Sequence, residues 1–120
     1  PASCTASARQ KQKSIFLQLY RAKRYPEAAK VLEALASQCE SFMDIYETDR
    51  LRNDLALAQY HNGEYDQCVE TLKQTLVSDI KDEEEMKNHF PPDDLANYID
   101  IAKSTWFNKN MCVKAMTRKP

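Results

Sequence analysis

Four cysteines, Cys4, Cys39, Cys68 and Cys112, carry most of the chemistry this sequence offers. Singly they are ligands or nucleophiles, and in pairs they are cross-links. Zinc sites draw their ligands in close pairs, because one short turn aims two side chains at one metal. Here the cysteines are widely spaced and no C-x-x-C occurs, so no metal site and no cofactor is expected. Cys68 with His61 has the makings of a thiol nucleophile and its base. No Gly-rich phosphate loop, nucleophile elbow or H-E-x-x-H sequence accompanies them. The expectation is a protein that is not an enzyme, with either two disulfides or four free thiols. The acidic run Asp82-Glu83-Glu84-Glu85 suits a cation or a basic partner, or is simply a solvated loop.

The elements that must position these residues are helical. A chain of 120 residues is about one domain. Gly63 is the single glycine, and the five prolines are Pro1, Pro26, Pro91, Pro92 and Pro120. Sandwiches and barrels need many more turn residues than this. Ala, Leu, Gln, Glu and Lys are helix formers, and the expected class is all-α. The net charge is −1, which gives no long-range field for nucleic acid. A basic cluster on the first helix (Arg9, Lys11, Lys13, Arg21, Lys23, Arg24) reads as a solvated face. No apolar run approaches the roughly 20 residues of a membrane helix. The chain opens on Pro1 and not on Met, which reads as a processed or partial chain and leaves a missing upstream signal open.

Apolar spacing places the helices. The first runs from Thr5 or Ser7 to Ala22 and buries Ile15, Phe16, Leu19 and Ala22. After a tight turn at Lys23-Arg24-Tyr25, Pro26 opens a second helix to Gln38, buried through Ala28, Val31, Leu32 and Leu35. Residues 40–46 are a short helix or the start of the third. Thr48 or Asp49 caps a third helix through Leu51, Leu55, Leu57 and Ala58 to Tyr60, closed by Asn62-Gly63. The fourth runs from Glu64 through Cys68 and Leu72 to Leu76. Residues 79–92 read as a long connection with at most one helical turn. Asp93 or Asp94 then caps a helix through Leu95, Tyr98, Ile99, Ala102 and Trp106. A turn at Asn108-Lys109-Asn110 follows, then a short helix over Met111–Met116 and a frayed tail, Thr117 to Pro120.

Two segments repeat. Leu17/Leu57, Tyr20/Tyr60, Tyr25/Tyr65, Ala28/Cys68 and Leu32/Leu72 are each 40 positions apart. The pattern suits a helix hairpin: a Tyr ends one helix, another packs back after the turn, and a small residue sits where the helices approach closest. It resembles the tetratricopeptide repeat family, most clearly in Tyr60-x-x-Gly63-x-Tyr65-x-x-Cys68, with Lys23 where the first copy's Gly would be. The usual period of that family is about 34 residues, and residues 38–47 account for the extra length. The resemblance implies stacked antiparallel hairpins: repeat one over about 7–38, repeat two over about 48–78, the connection 79–92, and a C-terminal helix or partial repeat over 93–117. Phe107, Cys112 and Ala115 echo the spacing of Tyr20, Tyr25 and Ala28 as a third copy.

The resemblance also implies a concave groove lined by the first helix of each pair. Its residues would be Gln10, Lys13, Leu17, Tyr20 and Arg21, then Arg50, Asn53, Leu57, Tyr60 and His61. Long donors with Leu and Tyr suit an extended peptide, while packing Tyr and solvated charges are the plainer alternative. Leu17 and Leu57 stand where carboxylate-binding members have Asn, so capture of a terminal carboxylate is not implied. In the hairpin arrangement Cys4 and Cys39 lie at adjoining helix ends, and Cys68 and Cys112 follow turns at one end of the stack. Of three pairings, Cys4–Cys39 and Cys68–Cys112 are favoured. If both form, the setting is periplasmic or secreted; free thiols leave a cytoplasmic one. Pro1-Ala2-Ser3-Cys4 also resembles a lipoprotein processing site, lipidated at Cys4. The expected function is a protein- or peptide-binding module of a secreted or periplasmic protein. The alternatives are a small helical pilot or adaptor docking by its convex face or its 80–92 loop, and a cytosolic adaptor or chaperone.

Overall fold

The computed structural model describes residues 1–118. Thr5 begins the first helix by accepting the Ala8 N–H at 3.1 Å, which satisfies one of the orphan donors of a helix start. Helix α1 is Ala6–Arg21 and α2 is Tyr25–Cys39. Asp44 caps α3, Ile45–His61, by accepting from the Glu47 N–H at 2.8 Å. Helix α4 is Tyr65–Lys73. Asp82 caps α5, Glu83–His89, and α6 runs without interruption over Pro92–Arg118. Short 3-10 turns occupy Ala2–Cys4, Glu40–Phe42 and Leu76–Asp79. No strand occurs among the described residues, and the fold is all-α.

The two turns that join α1 to α2 and α3 to α4 share their main backbone hydrogen bonds at the 40-residue offset. Lys23 and Gly63 both take positive φ, 61° and 76°. Lys23 N–H donates to the Tyr20 carbonyl at 2.9 Å and Gly63 N–H to the Tyr60 carbonyl at 3.0 Å. Arg24 N–H reaches Leu19 O, and Glu64 N–H reaches Gln59 O, both at 2.9 Å. Past each turn, Ala28 and Cys68 are fully buried and Leu32 and Leu72 fill the next layer. The ring pairs Tyr20–Tyr25 and Tyr60–Tyr65 sit at 5.4 and 5.5 Å.

A left-handed backbone costs an L-residue about 1–2 kcal/mol, partly offset by the chain entropy glycine loses. Nothing lies within 4 Å of a Cβ built on Gly63, so conformation alone decides. Lys23→Gly is expected to raise the melting temperature by a few degrees, and Gly63→Ala to lower it by a similar amount. Thermal melts of the two variants check this.

Helix α1 packs on α2, α2 on α3, α3 on α4, and α6 on both α3 and α4. Three apolar clusters follow one another through the molecule. The first joins Phe16, Leu32, Leu35, Leu51 and Leu55; the second Ala56, Cys68, Val69, Leu72 and Cys112; the third Val77, Ile80, Met86, Phe90 and Ala102. The whole measures 45 × 38 × 20 Å.

Several sequence expectations need correction. Thr48 and Asp49 do not cap α3; the helix begins one turn earlier at Asp44. Helix α4 ends at Lys73, short of Thr75 and Leu76, because the Asp49 carboxylate accepts the Leu76 N–H at 3.1 Å and starts the next turn there. The connection 79–92 contains a two-turn helix, α5. Its N-cap Asp82 accepts from Glu85 N–H, and the Glu85 carboxylate accepts from Lys81 N–H. Asp93 and Asp94 lie in the first turn of α6, which starts at Pro92. The turn at Asn108-Lys109-Asn110 is absent, and Met111–Met116 continue α6. Phe107 is 70% exposed and does not repeat the packing of Tyr20 and Tyr60. Ala22 is also exposed. Of the tail expected to fray, Thr117 and Arg118 end α6, while Lys119 and Pro120 lie outside the described residues.

Candidate functional site

Residues three and seven positions apart share one face of a helix. Gln10, Lys13 and Leu17 occupy such a stripe on α1, and Glu47, Arg50 and Asp54 occupy one on α3. The two stripes face each other across an open cleft of about 320 Å³, with Phe16, Leu32 and Leu51 as its apolar lining. Four of the residues expected in a groove, Gln10, Lys13, Leu17 and Arg50, therefore come together here. Leu17 stays 42% exposed.

One end of the cleft is clamped. Arg9 grips Glu47 with Nε at 2.8 Å and Nη2 at 3.0 Å, and Lys13 Nζ reaches the same carboxylate at 2.6 Å. Arg9 Nη1 also donates to the Cys4 carbonyl at 2.7 Å. Hydrogen bonding by Arg9, then by Lys13, holds the Glu47 carboxyl below its usual range. Asp54 is the opposite case. It is half-buried, and burial raises its pKa against the weaker pull of Arg50 and Lys13. Among the described residues no hydrogen bond or ion pair reaches it. Arg50 is exposed and donates from Nη1 to the Tyr46 hydroxyl at 3.0 Å.

Tyr20, Tyr60 and His61 form an aromatic cluster beside this cleft. His61 stacks on Tyr25 at 5.1 Å, with Tyr20 and Tyr60 edge-on to it at 5.7 and 5.4 Å. Burial, then Tyr25 and Asp54, raise the Tyr20 phenol pKa. Arg21 is exposed and lies outside the cleft lining, as does half-buried Leu57. Asn53 is a correction. It is 3% exposed and belongs to the α3/α6 contact. Its Nδ2 donates to Thr105 Oγ1 at 2.8 Å, and its Oδ1 accepts from Asn108 Nδ2 at 3.0 Å.

The cysteines form the two expected bridges, Cys4–Cys39 and Cys68–Cys112, with Cα separations of 5.4 and 6.3 Å. Cys112 reaches Cys68 from the middle of a continuous helix packed on α4, not from a position after a turn. Neither Cys68 nor Cys4 is a free thiol. The nucleophile pair Cys68/His61 is therefore not formed, and the Cys4 sulfur is bonded to Cys39 and not open to lipidation. The acidic run is largely engaged internally: Glu84 pairs with Lys87 at 2.9 Å and Glu83 with Lys103 at 2.8 Å. Among the described residues, no group of three or more His, Cys, Asp or Glu is arranged to hold a metal. No described helix is long and apolar enough to cross a membrane.

The sequence reading names neither Glu47 nor Asp54, and gives Tyr25 a packing role without its stacking on His61. The signal for the first two was their spacing about Arg50, which puts all three on one face of α3. No family model matches the chain, and no curated protein or solved structure is significantly similar to it.

Proposed function

We propose that the chain is a tetratricopeptide-like interaction module that binds an extended protein segment along the α1/α3 cleft. The carrying observation is the cleft itself: Gln10, Lys13, Leu17, Arg50 and Asp54 line one open space between the first helices of the two repeated hairpins. Its apolar lining offers area to side chains. The Gln10 amide and the exposed Arg50 guanidinium suit main-chain carbonyls of an extended peptide. Repeat architectures commonly bind through the surface their stacked helices create. The two disulfides fit an oxidising setting, and we place the module in a secreted or periplasmic protein.

A selection of random linear peptides on the oxidised protein tests this reading. Peptides of about micromolar affinity are expected. The double variant Leu17→Asp/Arg50→Glu should weaken a resynthesised peptide roughly tenfold or more, about 1.4 kcal/mol, with an unchanged melting curve. No enriched peptide, or binding indifferent to the double variant, overturns the proposal.

A further inference from the structure

We infer that the α1/α3 cleft accepts a cationic side chain, a lysine or arginine of the bound segment, with its charge on the Asp54 carboxylate and its aliphatic stem along Leu17, Phe16 and Leu32. This rests on the peptide-binding reading above and names the ligand class.

The two carboxylates of the cleft are unequal. Glu47 is saturated by Arg9 and Lys13. Asp54 is half-buried with no partner among the described residues, although charged groups of both walls face it. Lys13 on α1 bonds Glu47, and Arg50 on α3 donates from Nη1 to the Tyr46 hydroxyl; neither hydrogen-bonds Asp54. Burying a carboxylate without compensation is costly, and its raised pKa shows that the neighbouring cations do not offset that cost. An incoming cation therefore finds one open carboxylate in the cleft, and it is Asp54.

The shape of the site selects within cations. Lys and Arg carry long apolar stems behind a charged tip, and the cleft pairs an apolar lining of Phe16, Leu17, Leu32 and Leu51 with one unpaired carboxylate. A pair formed in a partly desolvated cleft is also less screened by salt than one at the open surface. An acidic side chain would meet like charge at Asp54.

The test repeats the random-peptide selection on the wild-type protein and on Asp54→Asn. Enrichment of Lys or Arg at one peptide position is expected with wild type and is expected to vanish with Asp54→Asn. For one resynthesised basic peptide, replacing that lysine by norleucine should weaken wild-type binding roughly tenfold, and should change little on Asp54→Asn. The variant should melt at or above the wild-type temperature, because an amide is cheaper to bury than an unpaired carboxylate. Asp54→Ser serves as a second variant should Asn be poorly tolerated. Peptides that bind the cleft without basic enrichment overturn this inference and leave peptide binding standing. So does a norleucine loss as large on Asp54→Asn as on wild type. The absence of any binding peptide overturns both.

Discussion

Reducing both disulfides is expected to remove most of the folding free energy of this domain. The bridges close stretches with sequence separations of 35 and 44. Loop-closure entropy for stretches of that length is worth about 4 kcal/mol each. The stretches do not overlap, so their contributions should add, to roughly 8 kcal/mol against the 5–15 kcal/mol of a typical domain. The sulfurs also belong to the core: Cys4 and Cys39 sit in the first apolar cluster, Cys68 and Cys112 in the second. Each pair replaced by serines should lower the melting temperature by roughly 15 °C. With both pairs replaced, the far-ultraviolet helical signal should be largely lost at 37 °C. A reduced protein that melts with the oxidised one would mean that helix packing alone carries the fold. Alkylation of protein from its native source, before and after reduction, reads the compartment: four blocked sulfurs fit the secreted or periplasmic proposal, and four reactive ones contradict it.

Asn53→Ala should cost about 3 kcal/mol. Two side chains of α6 and one backbone carbonyl of α3 bond the Asn53 amide. Asn108 donates to Asn53 Oδ1 at 3.0 Å, and Asn53 Nδ2 donates to Thr105 Oγ1 at 2.8 Å and to the Asp49 carbonyl at 2.9 Å. The Thr105 hydroxyl in turn donates to the Ile101 carbonyl at 2.7 Å. Truncation leaves the Asn108 amide donor buried and unsatisfied, a penalty of about 1–3 kcal/mol. A small cavity adds to it. Urea titration of Asn53→Ala, Asn108→Ala and the double variant closes a cycle. A coupling of about 1 kcal/mol or more is expected. Additive losses would show that the two amides do not share a bond.

The same amides mark where the sequence could be read and where it could not. The paired tyrosines, the small residue at position 28 or 68 and the leucine beyond it report local packing, which one hairpin encodes by itself. Those features revealed the repeat and both turns, including the position where Lys23 stands in for a glycine. Asn108-Lys109-Asn110 reads as a turn because short polar side chains compete for the backbone. That preference yields when the side chain finds a partner elsewhere, and Asn53 is that partner, 55 positions away. Asn53 in turn reads as a groove residue, because the repeat pattern does not register a helix folding back over the second hairpin. Asp49 resembled a cap and does act on a backbone N–H, but on that of Leu76 in another element. The Cys68–Cys112 pairing is legible in the sequence, but the turn expected before Cys112 is absent from α6. The cleft was half legible. The α1 stripe followed from the repeat, whereas Asp54 is defined by the partner it lacks, which only packing reveals.

The two cross-links also dictate how the chain yields to tension. Cys4–Cys39 and Cys68–Cys112 seal off consecutive stretches, so a pull applied at the ends cannot lengthen either one. Between them only residues 40–67 can pay out, at most roughly 100 Å of extended chain, and that span contains all of α3. A single-molecule pulling trace of the oxidised protein should show one internal extension step of at most that size. Under load α1 would keep its half of the cleft inside a closed covalent ring, while Glu47, Arg50 and Asp54 unspool with the segment between the rings. Any grip that depends on both walls would then slacken with force before the protein itself comes apart.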